Sequence, residues 1–173
     1  MMMAKAGFKF AAICCCFMAL AACSKKDQPT IDPLGPNGGA GVGGDGSDIA
    51  SPGSKKEFQT VVGDRIYFLN DQTSLSQEGQ DTLVKQAEWL KQYTKVTIQV
   101  EGHADERGTR EYNISLSARR ATAARGFLIS QGVAANRISS IAYGKERPVA
   151  LCDAEQCWSQ NRRAVTVITG GAN

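Results

Sequence analysis

The chain has 173 residues and a single histidine, His103. A transition-metal site needs several imidazole, thiolate or carboxylate ligands converging. His103 with Asp105 and Glu106 beside it is not a convincing set, so no metal is expected. Charge of one sign is also lacking: 20 Lys and Arg stand against 17 Asp and Glu, a net +3. Without Lys5 and Lys9 near the N-terminus this falls to +1 (3 − 2). Nucleic-acid binding draws on a basic face that makes many phosphate contacts, and this balance offers none. The apolar run Phe10 to Ala22, "FAAICCCFMALAA", has 13 residues, too few to span a bilayer as a helix. Hydrophobic content of 42% and charged content of 21% are those of an ordinary globular chain.

What is present at the N-terminus is an export pattern. Lys5 and Lys9 precede the apolar run, which ends in "LAAC", Leu20 to Cys23. Small residues before a cysteine at the end of such a run resemble the lipobox of bacterial lipoproteins. That resemblance implies a signal peptide over 1–22 and a lipid on Cys23, the one covalent addition expected, with no other cofactor. Ser24, rather than an aspartate, follows Cys23, and in enterobacterial lipoproteins this favours the outer membrane. One acyl chain anchors marginally and several anchor firmly, at about 0.8 kcal/mol per buried methylene. The alternative is an ordinary cleavable signal with a stray cysteine.

Cys14, Cys15 and Cys16 leave with the signal, so only Cys152 and Cys157 remain, in "CDAEQC". In an exported chain this pair suggests a local disulfide, with a free thiol pair and a metal clip as the rivals.

Residues 24–57 are rich in Gly, Pro, Ser and Asp and nearly free of large apolar side chains. They cannot bury enough surface to offset chain entropy and read, with Cys23, as a flexible tether over 23–57. As a coil it would span roughly 30 Å, and fully stretched about 110 Å. From 58 to 173 the pattern alternates. Strands are expected at 64–69, 95–102, 137–144 and 164–169. A helix is expected over 74–93, with Ser74 and Gln77 spaced as a capping box and Leu83, Ala87 and Leu90 on its core face. A second helix is expected over 109–132, closed by Gly132. This order predicts an α/β fold, a two-layer sandwich in which a mixed β-sheet carries helices on one face.

The chemistry gathers in "GHADERGTREYN", Gly102 to Asn113. Asp105 falls in a strand-to-helix loop, where functional side chains are common, and the helix N-terminus beyond it favours anions. Asn113, Leu116 and Arg120 share one face of that helix. Asp105 and Arg120 can therefore converge on one cleft, suited to a zwitterion with its ammonium on Asp105 and its carboxylate forked on Arg120. The same pair could instead be a structural salt bridge. His103 reads as a structural residue, hydrogen-bonded to shape the loop. Arg107, Arg110 and Glu111 read as a solvated charge cluster or part of a protein interface, and Trp158 as a packing anchor under the cysteine loop.

"GHADERGTREYNISLSARRATA", followed by "YGKERP" and "NRRAV", resembles the OmpA-like peptidoglycan-binding domains over about residues 60–170. Within them it most resembles the peptidoglycan-associated lipoprotein family of Tol–Pal systems. The resemblance implies a non-enzymatic protein of the outer membrane, its domain facing the periplasm, with a role in envelope integrity and cell division. It implies binding to the diaminopimelate of the peptidoglycan stem peptide, and to the periplasmic protein TolB on an overlapping surface. It carries the key acid onto Asp105 and the key arginine onto Arg120, with Thr109, Asn113 and Leu116 lining the pocket and a backbone contact at Asp71. The family often has phenylalanine before that aspartate, where this chain has Asn70. Arg162 and Arg163 fall in "NRRAV", either lining the cleft or forming structural ion pairs. The alternative to binding is a peptidoglycan hydrolase using His103 and Asp105, though neither an activated nucleophile nor a second metal ligand is evident.

Overall fold

The structure, a computed structural model, describes residues 50–173. The signal segment 1–22, the lipidation position Cys23 and the tether through residue 49 lie outside the described residues. The elements in chain order are α1 (Lys55–Glu57), which runs into a π-helical turn (Phe58–Gly63), then β1 (Arg65–Tyr67) and α2 (Gln77–Gln92). There follow β2 (Thr97–Gly102), α3 (Arg110–Ser130), a 3-10 turn (Ala135–Arg137), β3 (Ile138–Ala142), α4 (Glu155–Asn161) and β4 (Arg163–Gly170). The sheet order is β1-β4-β2-β3. β4 runs antiparallel to β1 and β2, and β2 runs parallel to β3 through the α3 crossover.

The sheet is therefore mixed, with α2 and α3 packed on one face of it, the expected two-layer architecture. The strands show why one face is covered. Ile98 and Val100 of β2, Ala164, Thr166 and Ile168 of β4, Ile66 of β1 and Ile138 of β3 are all buried. The apolar ones form one core with Leu83, Ala87 and Leu90 of α2 and Ala121, Ala124 and Leu128 of α3, while Thr166 donates to Gln86 Oε1 at 2.8 Å. Residues of opposite parity, such as Tyr67 and Val167, remain substantially exposed, the alternation that a half-buried antiparallel pair requires.

Three local expectations change. The expected cap at Ser74 is replaced by Ser76, whose hydroxyl accepts from Gly79 N at 3.1 Å. Ser74 instead donates to Gln72 Oε1 at 2.9 Å. The expected tether boundary at Glu57 falls inside folded chain. Ser54 caps α1, the Glu57 carboxylate accepts from Trp89 Nε1 at 2.7 Å, and Asn173 N donates to Gly53 O at 3.1 Å. These partners lie far along the sequence, so the polar composition of 51–57 gives no sign of them. The third is α4, which the segment around the two cysteines did not announce.

One glycine positions the functional end. A Cβ on Gly102 would lie 1.9 Å from Ser117 O, so only glycine lets α3 cross the end of β2 at backbone contact. Ser117 then accepts from Gly144 N at 3.0 Å, and Gly144 O accepts from Ala104 N at 2.8 Å. The end of β2, the middle of α3 and the loop after β3 are thereby held together beneath Asp105.

Candidate functional site: a cavity with a buried arginine and a forked carboxylate

The loop between β2 and α3 is built by its own polar groups. Thr109 is the N-cap of α3, with extended backbone and its Oγ1 accepting from Tyr112 N at 3.2 Å. Asn113, buried one turn into α3, donates from Nδ2 to Arg107 O at 2.7 Å. Gly108 between them has φ +85°, a conformation costly for other residues. Lys145, of "YGKERP", donates to Glu106 O at 3.1 Å and Gly108 O at 2.8 Å. Asp105 closes a turn on itself, its Oδ1 accepting from Arg107 N at 3.2 Å.

This loop, α3 and the segment after β1 enclose a cavity of about 310 Å³. Asp71, Asp105, Asn113, Leu116 and Arg120 all line it, as do Asn70, Arg107, Gly108 and Tyr112. Five of the six expected ligand-binding residues are thus brought together. Thr109, the sixth, is not in the lining, its hydroxyl being engaged at the cap. Tyr112 was missed, although it stands four residues before Leu116 on the same helix face; its hydroxyl donates to Asp71 Oδ1. Asp71 itself has φ +58°, the left-handed conformation that non-glycine residues seldom adopt. Asn70 supplies an amide where an apolar wall was in question, and Leu116 with the Tyr112 ring forms the apolar side.

Arg120 is wholly buried. Its Nε donates to Gln72 O at 2.9 Å, Nη1 to His103 O at 2.9 Å and Nη2 to Leu69 O at 3.3 Å. It forms no ion pair with any carboxylate among the described residues. The structural salt bridge to Asp105 is therefore not the arrangement found. Burial lowers the Arg120 pKa to about 10, against the opposing pull of Asp105. Guanidinium carries five N–H groups, so one on each terminal nitrogen is left over from these three bonds. The guanidinium also lies over the Phe68 ring at 5.1 Å. A buried cation held by carbonyl dipoles and an aromatic face, with no anion paired to it, is where an added carboxylate gains most.

Asp105 has the opposite surroundings. Burial would raise its pKa, but hydrogen bonds from Arg107 side chain and backbone, and from Arg162, hold it below the ordinary carboxylate value. Arg162 is buried; its Nη1 lies 3.3 Å from Asp105 Oδ2, its Nε donates to Phe68 O at 3.1 Å, and its other terminal nitrogen pairs with Glu155. Arg162 is thus a structural ion-pair residue behind the cavity. Arg163 forms no ion pair among the described residues; it donates to Asn161 O and Arg147 O. Arg107 is partly exposed, as expected, but it also forks Asp105.

His103 also departs from expectation. Neither ring nitrogen has a hydrogen-bond partner, and the ring lies against Tyr143 at 5.5 Å. Burial first, then Arg163 and Arg147, lower its pKa to about 4. Its role in the loop is carried by its backbone, which donates to Arg163 O and accepts from Arg120. Trp158 does not pack under the cysteine loop alone: its indole N–H meets Glu106 and Arg107 stacks on its ring at 4.1 Å. Cys152 and Cys157 are joined in a disulfide, with Cα atoms 5.6 Å apart. Among the described residues no cluster of three His, Cys, Asp or Glu could hold a metal ion.

A larger groove of about 570 Å³ has Tyr67, Phe68, Leu69 and Leu75 in its lining. Its charged lining residues include Arg162 and Glu155, already paired with each other. The smaller cavity joins a buried cation without a carboxylate partner to a carboxylate. Residues 67–162, which contain this site, match the OmpA family. The chain belongs to the OmpA family. Among its relatives is the peptidoglycan-associated lipoprotein of Mesorhizobium japonicum, 53% identical over 156 residues, covering 90% of this chain and 89% of the relative. That of Agrobacterium fabrum is 56% identical, covering 88% and 83%, and that of Pseudomonas aeruginosa 38%, covering 90% and 93%. These matches place the chain in the peptidoglycan-associated lipoprotein family. The crystal structure of the Burkholderia pseudomallei peptidoglycan-associated lipoprotein superposes with a TM-score of 0.62 at 37% identity, covering 64% of this chain and 96% of that one. The C-terminal domain of Helicobacter pylori MotB reaches a TM-score of 0.58 at 25% identity, covering 62% and 84%. Among the described residues no helix is long and apolar enough to cross a membrane.

Proposed function

We propose that this OmpA-family domain binds peptidoglycan without covalent attachment, gripping the zwitterionic end of the diaminopimelate side chain in the stem peptide. The observation that carries this reading is Arg120: a wholly buried guanidinium without a carboxylate partner, lining the same cavity as Asp105. The ligand carboxylate would neutralise Arg120, its ammonium would face Asp105, and Leu116 with Tyr112 would cover its methylenes. The names of the relatives support peptidoglycan as the polymer.

In the same reading a lipid on Cys23 holds the chain to the outer membrane and the Gly-rich segment spans the gap to the wall. The domain then faces the periplasm as part of a Tol–Pal system serving envelope integrity and cell division. TolB is the proposed protein partner, on a surface overlapping the cavity, so the two ligands compete. Modest affinity for one stem peptide suffices, because many copies on one polymer act at high effective concentration. The hydrolase alternative gains no support from the geometry: His103 is buried, does not line the cavity, and offers it no ring nitrogen.

Co-sedimentation with purified sacculi tests the site. Asp105→Ala and Arg120→Ala, each shown folded by its melting temperature, should remain in the supernatant while the wild type pellets. If both pellet like the wild type, the cavity is not the binding site.

A further inference from the structure

Asp105 does not stand ready for an ammonium in this structure. Arg107 forks it, Nε to Oδ1 at 3.2 Å and Nη2 to Oδ2 at 2.6 Å. Arg162 reaches Oδ2 from behind at 3.3 Å. The two arginines differ in freedom. The side chain of Arg162 is 4% exposed and is tied to Glu155 and to Phe68 O, whereas that of Arg107 is 38% exposed. The other partners of the Arg107 side chain are Asn70, whose Oδ1 accepts from Nη2 at 2.7 Å, and Trp158, whose ring lies beneath the guanidinium at 4.1 Å. An ammonium entering with Arg107 in place would meet a carboxylate already forked by one cation and touched by another, with like-charge repulsion added.

We propose that Arg107 is an internal competitor, a cationic latch that fills the ammonium subsite on Asp105 in the free protein and must swing off Asp105 and Trp158 when a cationic ligand group enters. The latch rests on the zwitterion reading given above and adds to it how the site is occupied between ligands. It sets affinity as well as selectivity, because only a ligand that supplies its own cation can replace the one displaced. A ligand with the carboxylate but no ammonium leaves Arg107 where it is. The rival arrangement keeps Arg107 in place and uses it to hold the ligand carboxylate, and it predicts the opposite effect of removing the side chain.

The test uses the chain with a soluble stem tripeptide carrying diaminopimelate, titrated by calorimetry and by tryptophan fluorescence. Trp89 is buried in the core and gives a constant background, so the signal reports Trp158. Wild type should show a change in emission on saturation, as the guanidinium leaves the indole ring. Arg107→Ala should bind roughly fivefold more tightly, by the rule that apparent affinity rises with the fraction of open sites, and should lack that emission change. Arg107→Lys, which cannot fork a carboxylate, should fall between the two. Weaker or unchanged binding by Arg107→Ala overturns the latch and leaves the zwitterion site standing. If Arg107→Ala does not fold, Asn70→Ala takes its place, and anything other than tighter binding there overturns the latch. Wild type that does not bind the tripeptide overturns the zwitterion reading and the latch together.

Discussion

His103 should make the stability of the domain fall with pH between its ordinary pKa of 6.5 and about 4. Its ring is 2% exposed, with both nitrogens unpartnered. The Glu101 carboxylate at 3.7 Å favours an imidazolium, but burial and the charges of Arg163 and Arg147 oppose it and prevail, holding the pKa near 4 against an ordinary 6.5. A depressed folded-state pKa makes the unfolded chain the better proton acceptor between these values. The stabilisation is therefore complete above pH 6.5 and is lost as pH falls toward 4. Linkage over such a gap gives a loss of about 2.5 kcal/mol between pH 7 and pH 4.5. Carboxylates held low by arginines, such as Asp105, lose their stabilisation at lower pH, and the chain has no second histidine. Urea unfolding at pH 7, 5.5 and 4.5 on wild type and His103→Phe measures the effect. Phenylalanine keeps a ring against Tyr143 and abandons no hydrogen bond of the side chain, so the variant should fold and show a flat profile over this range. Parallel losses in both proteins, or a wild-type loss below ~0.5 kcal/mol, would refute the assignment.

Gly102→Ala should cost about 3 kcal/mol or more, the upper end for overpacking, because its Cβ would meet Ser117 backbone rather than a side chain that can move; thermal melting reads it. Ser76→Ala should cost about 1 kcal/mol as the loss of a helix cap, whereas Ser74→Ala should stay within ~0.5 kcal/mol, and paired urea titrations separate the two. Reduction of the Cys152–Cys157 disulfide should cost roughly 2 kcal/mol, the chain-entropy value for so short a loop. Intact mass before and after reduction and alkylation shows the bond, and the reduced protein should unfold at lower urea.

Local pattern and composition made the two long helices and all four strands legible, periodicity most clearly in α2 and β2. Leu83, Ala87 and Leu90 recur at helical spacing, and Val96, Ile98 and Val100 alternate, because these patterns are local consequences of which face is buried. Helix ends were less legible. Ser74 and Ser76 are equally good caps by residue type, and the choice between them depends on where the chain arrives from β1. α4 was not read because its seven residues are too few for a periodic face, and α1 because Glu57 needs Trp89 from another segment.

The site divides the same way. The sequence determined that Asn113, Leu116 and Arg120 share a face and that Asp105 lies at its end, since helix geometry and a short loop fix both. Only the tertiary structure decided the electrostatics. Arg162 reaches Asp105 across 57 residues of sequence and Asn70 reaches Arg107 across 37, and no local rule pairs side chains at such separations. Spacing placed Asp105 and Arg120 on one cleft, with a direct salt bridge between them as the alternative. Folding instead set two other arginines on Asp105 and left Arg120 among carbonyls, because charge partners are chosen by which segments the packed core brings into reach.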